Sequence, residues 1–317
     1  FVSNILPLNL PRRISTSISG SFLLFSNAVS IFLTIISVFM ITIYKCVFPL
    51  SLFYLVFLMK GLINLGNTCY FNSCLQCLLQ IPCVSNYFST NGYSGDCEFT
   101  ILYCELVKNF WNKNSKSNIN VNKLLVAFQK QFPRFKGGNE EDSQEALLCI
   151  IDILERAVPE IKPYFYGKKT QETIWPGGKS SHEEDFSIHI MSSRGNNLKE
   201  MLRESSKWNT LSDFEDKEGK KHNVATTRSY LSKLPKILMI SFDTKSHVHV
   251  DEELSINDNE YRLIASVVHM GNQHGGHYTS FTKHRGVWYY KDDDVVTKRD
   301  FVKRAGHYIL VYNLKTP

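Results

Sequence analysis

Apolar and polar positions divide the chain into three materials. From Ile14 to Tyr44 no charged residue occurs, and after Lys45 the run Cys46 to Met59 is again uncharged. The first run is long enough for a bilayer core, which requires ~20 apolar residues. Beyond Met59 the pattern becomes helical. Leu75, Leu78 and Leu79 recur at helical spacing behind Asn67 and Thr68, either of which can cap a helix start. Leu147, Ile150, Ile151, Leu154 and Val158 form one face of a second helix after the loop KGGNEED. Later the period shortens. LPKILMISFD, YRLIASVVHM, HYTSFTK, VWYYKD and HYILVYN are short and rich in β-branched and aromatic residues, and they read as strands. Between the two regimes, Gly167 to Tyr230 is polar and weakly patterned. Helices first and strands later predict an α+β fold rather than alternating βαβ units, with no internal repeat.

The uncharged leader has basic residues on both sides, Arg12 and Arg13 before it and Lys45 and Lys60 after, so charge gives it no orientation. Its length and the lack of a small-residue cleavage site argue against a signal peptide. Two readings stand. Residues 14–44 are a membrane segment, or the leader is sequence upstream of the native start, since Met59 falls two residues before the first globular motif. Either way the organisation is a leader, 1–59, followed by one globular domain, 60–317.

Composition narrows the class. Hydrophobic residues make up 43% and charged residues 21%, as in ordinary globular proteins. The net charge of +6 comes without a long basic run, so no nucleic acid partner is expected. All eight cysteines fall in the first half of the chain, unlike a small secreted disulfide scaffold. They read as reduced thiols in a cytosol-facing protein.

Three of them lie close together in GLINLGNTCYFNSCLQCLLQ, Gly61 to Gln80. The spacing of Cys69, Cys74 and Cys77, with Cys104 as a distant fourth ligand, fits an iron–sulfur protein of the plant ferredoxin kind. The residues between the thiols are bulky or helix-compatible, which suits a cluster loop poorly. A zinc site on Cys74-x2-Cys77 lacks a second pair, because no cysteine follows Cys149. The third reading makes Cys69 a nucleophile in the first turn of a helix, where free amides and the helix dipole favour a thiolate. Cys74 and Cys77 are then small buried residues. A nucleophile needs a base, a group to orient that base, and an oxyanion donor.

The same stretch resembles the cysteine box of the ubiquitin-specific proteases, the papain-like deubiquitinases. GNEEDSQEALLCIIDIL resembles the second motif of that family, and LPKILMISF the approach to its palm strands. YRLIASVVHMGNQHGGHYTSFTK with VWYYKDDDVV resembles its histidine box, and HYILVYN its closing strand. The five motifs run in order from Gly61 to Asn313. The resemblance implies a thumb–palm–fingers architecture and a thiol-dependent hydrolase that cuts after the C-terminal glycine of ubiquitin. It implies ubiquitin and ubiquitinated proteins as partners, no cofactor, and a cytoplasmic catalytic domain that the leader would tether to a membrane. The alternative from another class is a catalytically silent ubiquitin-binding or membrane scaffold protein, which would be expected to lose a member of the catalytic set.

The resemblance places the nucleophile at Cys69 and the oxyanion side chain at Asn64. Gly-His-Tyr occurs twice, so His277 and His307 compete for the base. His307 is followed by no acid before the chain ends, and it reads as structural. His277 is followed by a hairpin and then Asp292, Asp293 and Asp294. With His284-Arg285 as the loop, the register sets His277 opposite Asp292, with Cβ atoms ~5 Å apart. Asp292 would then accept the Nδ1 proton and leave Nε2 for the thiol. A bulge at Gly286 would favour Asp293 instead. Asp142 and Glu145 match family acids that bind the substrate tail, and both also suit a helix N-terminus. Gly275 and Gly276, beside Tyr278, allow close backbone approach to a Gly-Gly end. His247, His249 and Asp251 alternate and read as a solvated face rather than a metal site. Family members often carry two C-x2-C zinc pairs in the fingers. Here the matching region has no cysteine, and WPGG at Trp175 to Gly178 stands where the first pair belongs.

Overall fold

The structure is a computed structural model that describes residues 59–317 except 116, 273–274 and 316–317. The leader, with the candidate membrane segment 14–44, lies outside the described residues. Among the described residues no helix is long and apolar enough to cross a membrane.

Among the described residues six α-helices come first: α1 (Cys69–Leu79), α2 (Pro82–Thr90), α3 (Glu98–Trp111), α4 (Asn122–Gln131), α5 (Ser143–Ala157) and the short α6 (Lys162–Phe165). Every residue of α1 is buried, so this helix is the axis of the helical lobe. Its Phe71 and Leu75 share one core with Phe128, Leu147 and Ile150, and the Phe71 and Phe128 rings are 5.1 Å apart. Full burial of each such side chain contributes ~1.5–3 kcal/mol. Thr68 occupies the N-cap position of α1 without a side-chain cap bond, and Asn67 takes a positive φ of 49°. The capping expected of them is therefore absent. Asp142 caps α5 instead, its Oδ1 accepting from the amides of Gln144 at 2.7 Å and Glu145 at 3.0 Å.

The strands follow, interrupted by one helix: β1 (Gly167–Trp175), β2 (Gly178–Phe186), β3 (Ile188–Met191), α7 (Leu198–Ser205), β4 (Asn209–Glu215), β5 (Lys221–Lys233), β6 (Ile237–Ser246), β7 (Glu253–Ile256), β8 (Asn259–Asn272), β9 (Gly275–His284), β10 (Val287–Asp292), β11 (Val295–Lys298) and β12 (His307–Leu314). Eight strands make the main sheet, in the order β11-β10-β9-β8-β12-β6-β3 with β7 paired to β8. Helix α1 lies against β9 and β10, which brings the cysteine box onto the histidine box. This is the α+β fold the pattern predicts, with a helical lobe, a palm-like sheet and a separate finger-like sheet.

That second sheet, ordered β2-β1-β5-β4, fills the stretch that shows almost no pattern in sequence. Its edge strands β2 and β4 are largely solvated on both faces, and the buried positions of β1 recur every third residue, so no alternation marks them. At its tip, beside the turn that WPGG makes, Asp216 Oδ2 and His222 Nε2 lie 2.8 Å apart with side chains 9% and 7% exposed. The Trp175 ring stands 5.2 Å from Phe214 and 5.9 Å from His222. The His222–Asp216 contact lies within the β4–β5 hairpin, and the Trp175 ring packs across onto it from the β1–β2 hairpin.

The β9–β10 hairpin departs from the sequence expectation. Its two-residue loop is Arg285-Gly286, both at positive φ, 49° and 82°, and Val287 pairs with His284. Gly286 supplies the second left-handed position of a primed hairpin turn, not a bulge. The register therefore moves by two residues, and an even shift leaves each side chain on its face. Lys291 pairs with Ser280, which makes His277 and Asp292 diagonal neighbours rather than direct partners. The strand also stops sooner than the aspartate run implies. Asp292 pairs with Val295 across the tight turn Asp293-Asp294, and Asp293 has φ 49°.

Candidate active site

Cys69 opens α1 and is 5% exposed. Burial raises its thiol pKa, and the carboxylate of Asp293 adds to that. Amide N–H groups of Tyr278, Tyr70 and Cys69 itself face the sulfur and pull the other way, but burial prevails. The helix start supplies the expected donors, while burial works against the thiolate they favour and holds the thiol pKa up.

The histidine expected as base stands on β9. His277 Nε2 lies 2.6 Å from Asp292 Oδ1, and their side chains are 38% and 42% exposed. The pairing of these two residues agrees with expectation, while the nitrogens are reversed. Nε2 is the atom facing the carboxylate, which leaves Nδ1 as the nitrogen open to a substrate or thiol. The diagonal register accounts for this, because Asp292 is approached from the far end of the ring.

Asn64 is fixed through both ends of its amide. Oδ1 accepts from the amide of Gly66 at 2.9 Å and from the amide and hydroxyl of Thr68. Nδ2 donates to Asp293 Oδ2 at 2.7 Å. One Nδ2 proton stays available, since an amide nitrogen carries two. The other Asp293 oxygen accepts from Asn72 Nδ2 at 2.8 Å, one turn below Cys69. The sequence offered Asp293 only as the alternative partner of His277 and did not single out Asn72. The one-turn spacing of Cys69 and Asn72 was the available signal.

The remaining expected residues gather nearby, several of them already engaged. Besides capping α5, Asp142 accepts a hydrogen bond from the Tyr308 hydroxyl at 2.5 Å. Glu145 pairs with Arg134 at 3.1 Å on the surface. Gly275 and Gly276 begin β9, and the Gly276 amide donates to Glu140 Oε2 at 2.7 Å, a carboxylate absent from the sequence expectations. A Cβ on Gly276 would fall 2.1 Å from His269 Nε2. That ring is stacked on Tyr278 with centroids 4.6 Å apart and cannot easily yield.

The other cysteines and histidines take structural places. Cys74 donates to the Ser143 carbonyl, and Cys77 is buried. No three cysteine sulfurs lie mutually within 4.8 Å among the described residues, which removes the cluster reading. His307 is fully buried between the Ser266 hydroxyl and the Val302 carbonyl, and burial lowers its pKa to about 4. His249 turns back onto Asp251 at 3.1 Å, and Asp251 also meets Lys199 and Lys303. The His247–Asp251 stretch is a loop tied to the sheet, not a strand face.

The family profile described as ubiquitin carboxyl-terminal hydrolase matches residues 60–312. This chain belongs to that family. Ubiquitin carboxyl-terminal hydrolase 36 of Drosophila melanogaster is 26% identical over 287 residues, covering 74% of this chain and 28% of that protein. Ubiquitin carboxyl-terminal hydrolase 25 of Arabidopsis thaliana is 26% identical over 291 residues, covering 75% and 44% respectively. The chain thus spans less than half the length of these curated family members. In three dimensions it is similar to the SAGA DUB module Ubp8/Sgf11/Sus1/Sgf73 bound to monoubiquitin, with TM-score 0.72 and 22% identity over 82% of this chain and 70% of that one. That likeness shows the hydrolase fold, and it agrees with the thumb, palm and fingers described above.

Proposed function

We propose that the domain is a cysteine-type deubiquitinase that hydrolyses the bond after the C-terminal glycine of ubiquitin. The observation that carries the reading is the His277–Asp292 pair, 2.6 Å apart, on the strand whose Tyr278 amide faces the Cys69 sulfur. In this reading His277 removes the thiol proton as Cys69 attacks the glycine carbonyl. The bond to the leaving lysine amine breaks, and the imidazolium returns the proton to that amine. Water then attacks the thioester, with His277 again as base, and releases the carboxylate and the thiol. Asp292 holds the ring by Nε2 and stabilises the imidazolium. Asn64 Nδ2 and the amides at the start of α1 are the donors for the oxyanion.

The substrate tail would run between α5 and β9, past Asp142, Glu145, Gly275, Gly276 and Tyr278. Asp142 serves there mainly by shaping the helix start, since both its oxygens are engaged within the fold. The presence of Cys69, His277, Asp292 and Asn64 together weighs against a silent scaffold. A cytoplasmic domain tethered through residues 14–44 remains part of the proposal on sequence grounds, and retention of the full chain in membranes through a carbonate wash tests it.

The deciding experiment treats the full chain with ubiquitin carrying a C-terminal electrophile. A covalent adduct on Cys69 is expected. The adduct should be lost in Cys69→Ala and kept in Cys74→Ala. Equal loss in both variants, or no adduct with the unmodified chain, would refute the assignment.

A further inference from the structure

Lys60 and Lys291 are the buried lysines among the described residues, 2% and 1% exposed. Lys60 has an evident use: its ammonium donates to the Asn109 carbonyl near the end of α3. Lys291 is the stranger case. It precedes Asp292 on β10 and projects to the other face of the strand, into the seam between sheet and helical lobe. There its ammonium donates to Gln76 Oε1 on α1 and sits 4.8 Å from the Phe110 ring centroid of α3. The ionisable groups that face it are Cys77 on α1 and His284 on β9, and no carboxylate pairs with it among the described residues. Burial without a counter-ion pulls its pKa down to about 7, the mark of an expensive placement.

An apolar side chain could fill the same space without that penalty, and replacing a buried charge by one is often neutral or stabilising. What an apolar residue cannot do is fix how far a helix slides along a strand. Gln76 is two turns below Cys69 and one turn below Asn72. Its Nε2 donates to the Lys60 carbonyl at 3.0 Å, so its Oε1 is aimed at β10. Helix α1 is thus tied to the end of β10 at two points, Gln76 to Lys291 and Asn72 to Asp293, and Asp292 lies between them in sequence.

We propose that Lys291 is a positioning residue for the reaction assigned above. With Gln76 it sets the register between the helix that carries Cys69 and the strand that carries Asp292, and so the alignment of nucleophile and base. The inference rests on the proposed function and goes beyond it by adding a residue that touches neither substrate nor reacting atoms.

The test measures kcat and KM on a fluorogenic ubiquitin substrate, with melting temperature at pH 7.5, for Lys291→Met, Gln76→Leu and the double variant of the full chain. Lys291→Met is expected to melt at or above the unmodified protein, keep KM within about twofold and lose kcat roughly tenfold. Gln76→Leu reports the same contact from the helix side and should also lower kcat more than KM. The double variant should be no slower than the worse single one. Unchanged kcat in Lys291→Met overturns the inference while leaving the deubiquitinase reading intact. So do losses that multiply, or a melting temperature that falls together with kcat, which would make the lysine merely structural. An unmodified chain that does not hydrolyse ubiquitin conjugates would bring down the functional reading, and this inference with it.

Discussion

Asp293 is the most informative position to perturb, because two catalytic consequences and one backbone consequence meet there. Its oxygens accept from Asn64 at 2.7 Å and from Asn72 at 2.8 Å, and its φ is 49°. Asp293→Ala removes both acceptors. Hydrogen bonds to a charged group contribute about 1.5–3 kcal/mol each, and partial exposure here reduces that toward the low end. Alanine in the left-handed region adds about 1–2 kcal/mol of strain. The expected loss of stability is therefore on the order of 4–5 kcal/mol. For catalysis the upper bound is loss of the Asn64 donor, roughly 10²–10³ in kcat. Gly66 and Thr68 still hold the amide oxygen, so Asp293→Ala should fall short of that bound, with kcat reduced ~10–10²-fold and KM little changed. Asp293→Asn keeps the left-handed preference and one acceptor, and should recover most of the stability but not all of the rate. The decisive measurement is the cycle with Asn64→Ala on a fluorogenic ubiquitin substrate. If Asp293 acts through Asn64, adding Asp293→Ala to Asn64→Ala should cost less than about twofold in kcat. A full multiplicative loss would refute the reasoning and return Asp293 to direct partnership with His277.

Gly276→Ala should lower kcat at least tenfold without unfolding the protein, because the new Cβ must displace either the stacked His269 ring or the strand bearing His277; activity near that of the unmodified chain would show that the ring gives way. Lys291 predicts a pH dependence whose sign follows from its lowered pKa. The folded state resists the proton that the unfolded state binds, so the penalty is full below about pH 7 and fades as pH rises toward 10.5. The stability advantage of Lys291→Met should shrink by on the order of 2 kcal/mol between pH 7 and pH 9 in denaturant titrations, and a constant advantage would contradict the burial argument. Chelators should leave both the melting temperature and the KM for ubiquitin unchanged, since Asp216, His222, Trp175 and Phe214 close the fingertip; a chelator-sensitive fingertip would mean a metal was overlooked.

The parts legible in sequence were those with periodic burial or a rigid local rule. The apolar face of α5 and the runs that became β6, β8, β9, β10 and β12 announced themselves, as did Cys69 at a helix start. The choice of His277 over His307 also followed from chain order. The β9–β10 register was not legible, because Arg285-Gly286 and His284-Arg285 are equally short loops. What decides between them is whether His284 or Gly286 takes the left-handed position beside Arg285, and Gly286 does, at φ 82°. The even displacement preserved the His277–Asp292 pairing while reversing which ring nitrogen it uses. The four-stranded finger sheet was hidden for a different reason. Its edge strands β2 and β4 meet water on both faces, and the few buried positions of β1 and β5 do not alternate. Contacts such as Gly276 to Glu140, or Lys291 to Gln76, join residues more than a hundred positions apart and leave no local trace.

The 5% exposed thiol of Cys69, its pKa raised by burial, bears on how such a protein survives oxidants. Peroxides and small alkylating agents attack thiolates far faster than thiols, and they need access. A buried thiol whose pKa is raised offers them little in the empty state. Reagents such as iodoacetamide should label Cys69 slowly, while a ubiquitin-borne electrophile, which brings its own binding surface, should label it fast. Chemical vulnerability is thereby tied to occupancy, and covalent inhibitors of this site would have to draw their selectivity from the channel rather than from the reactivity of the sulfur.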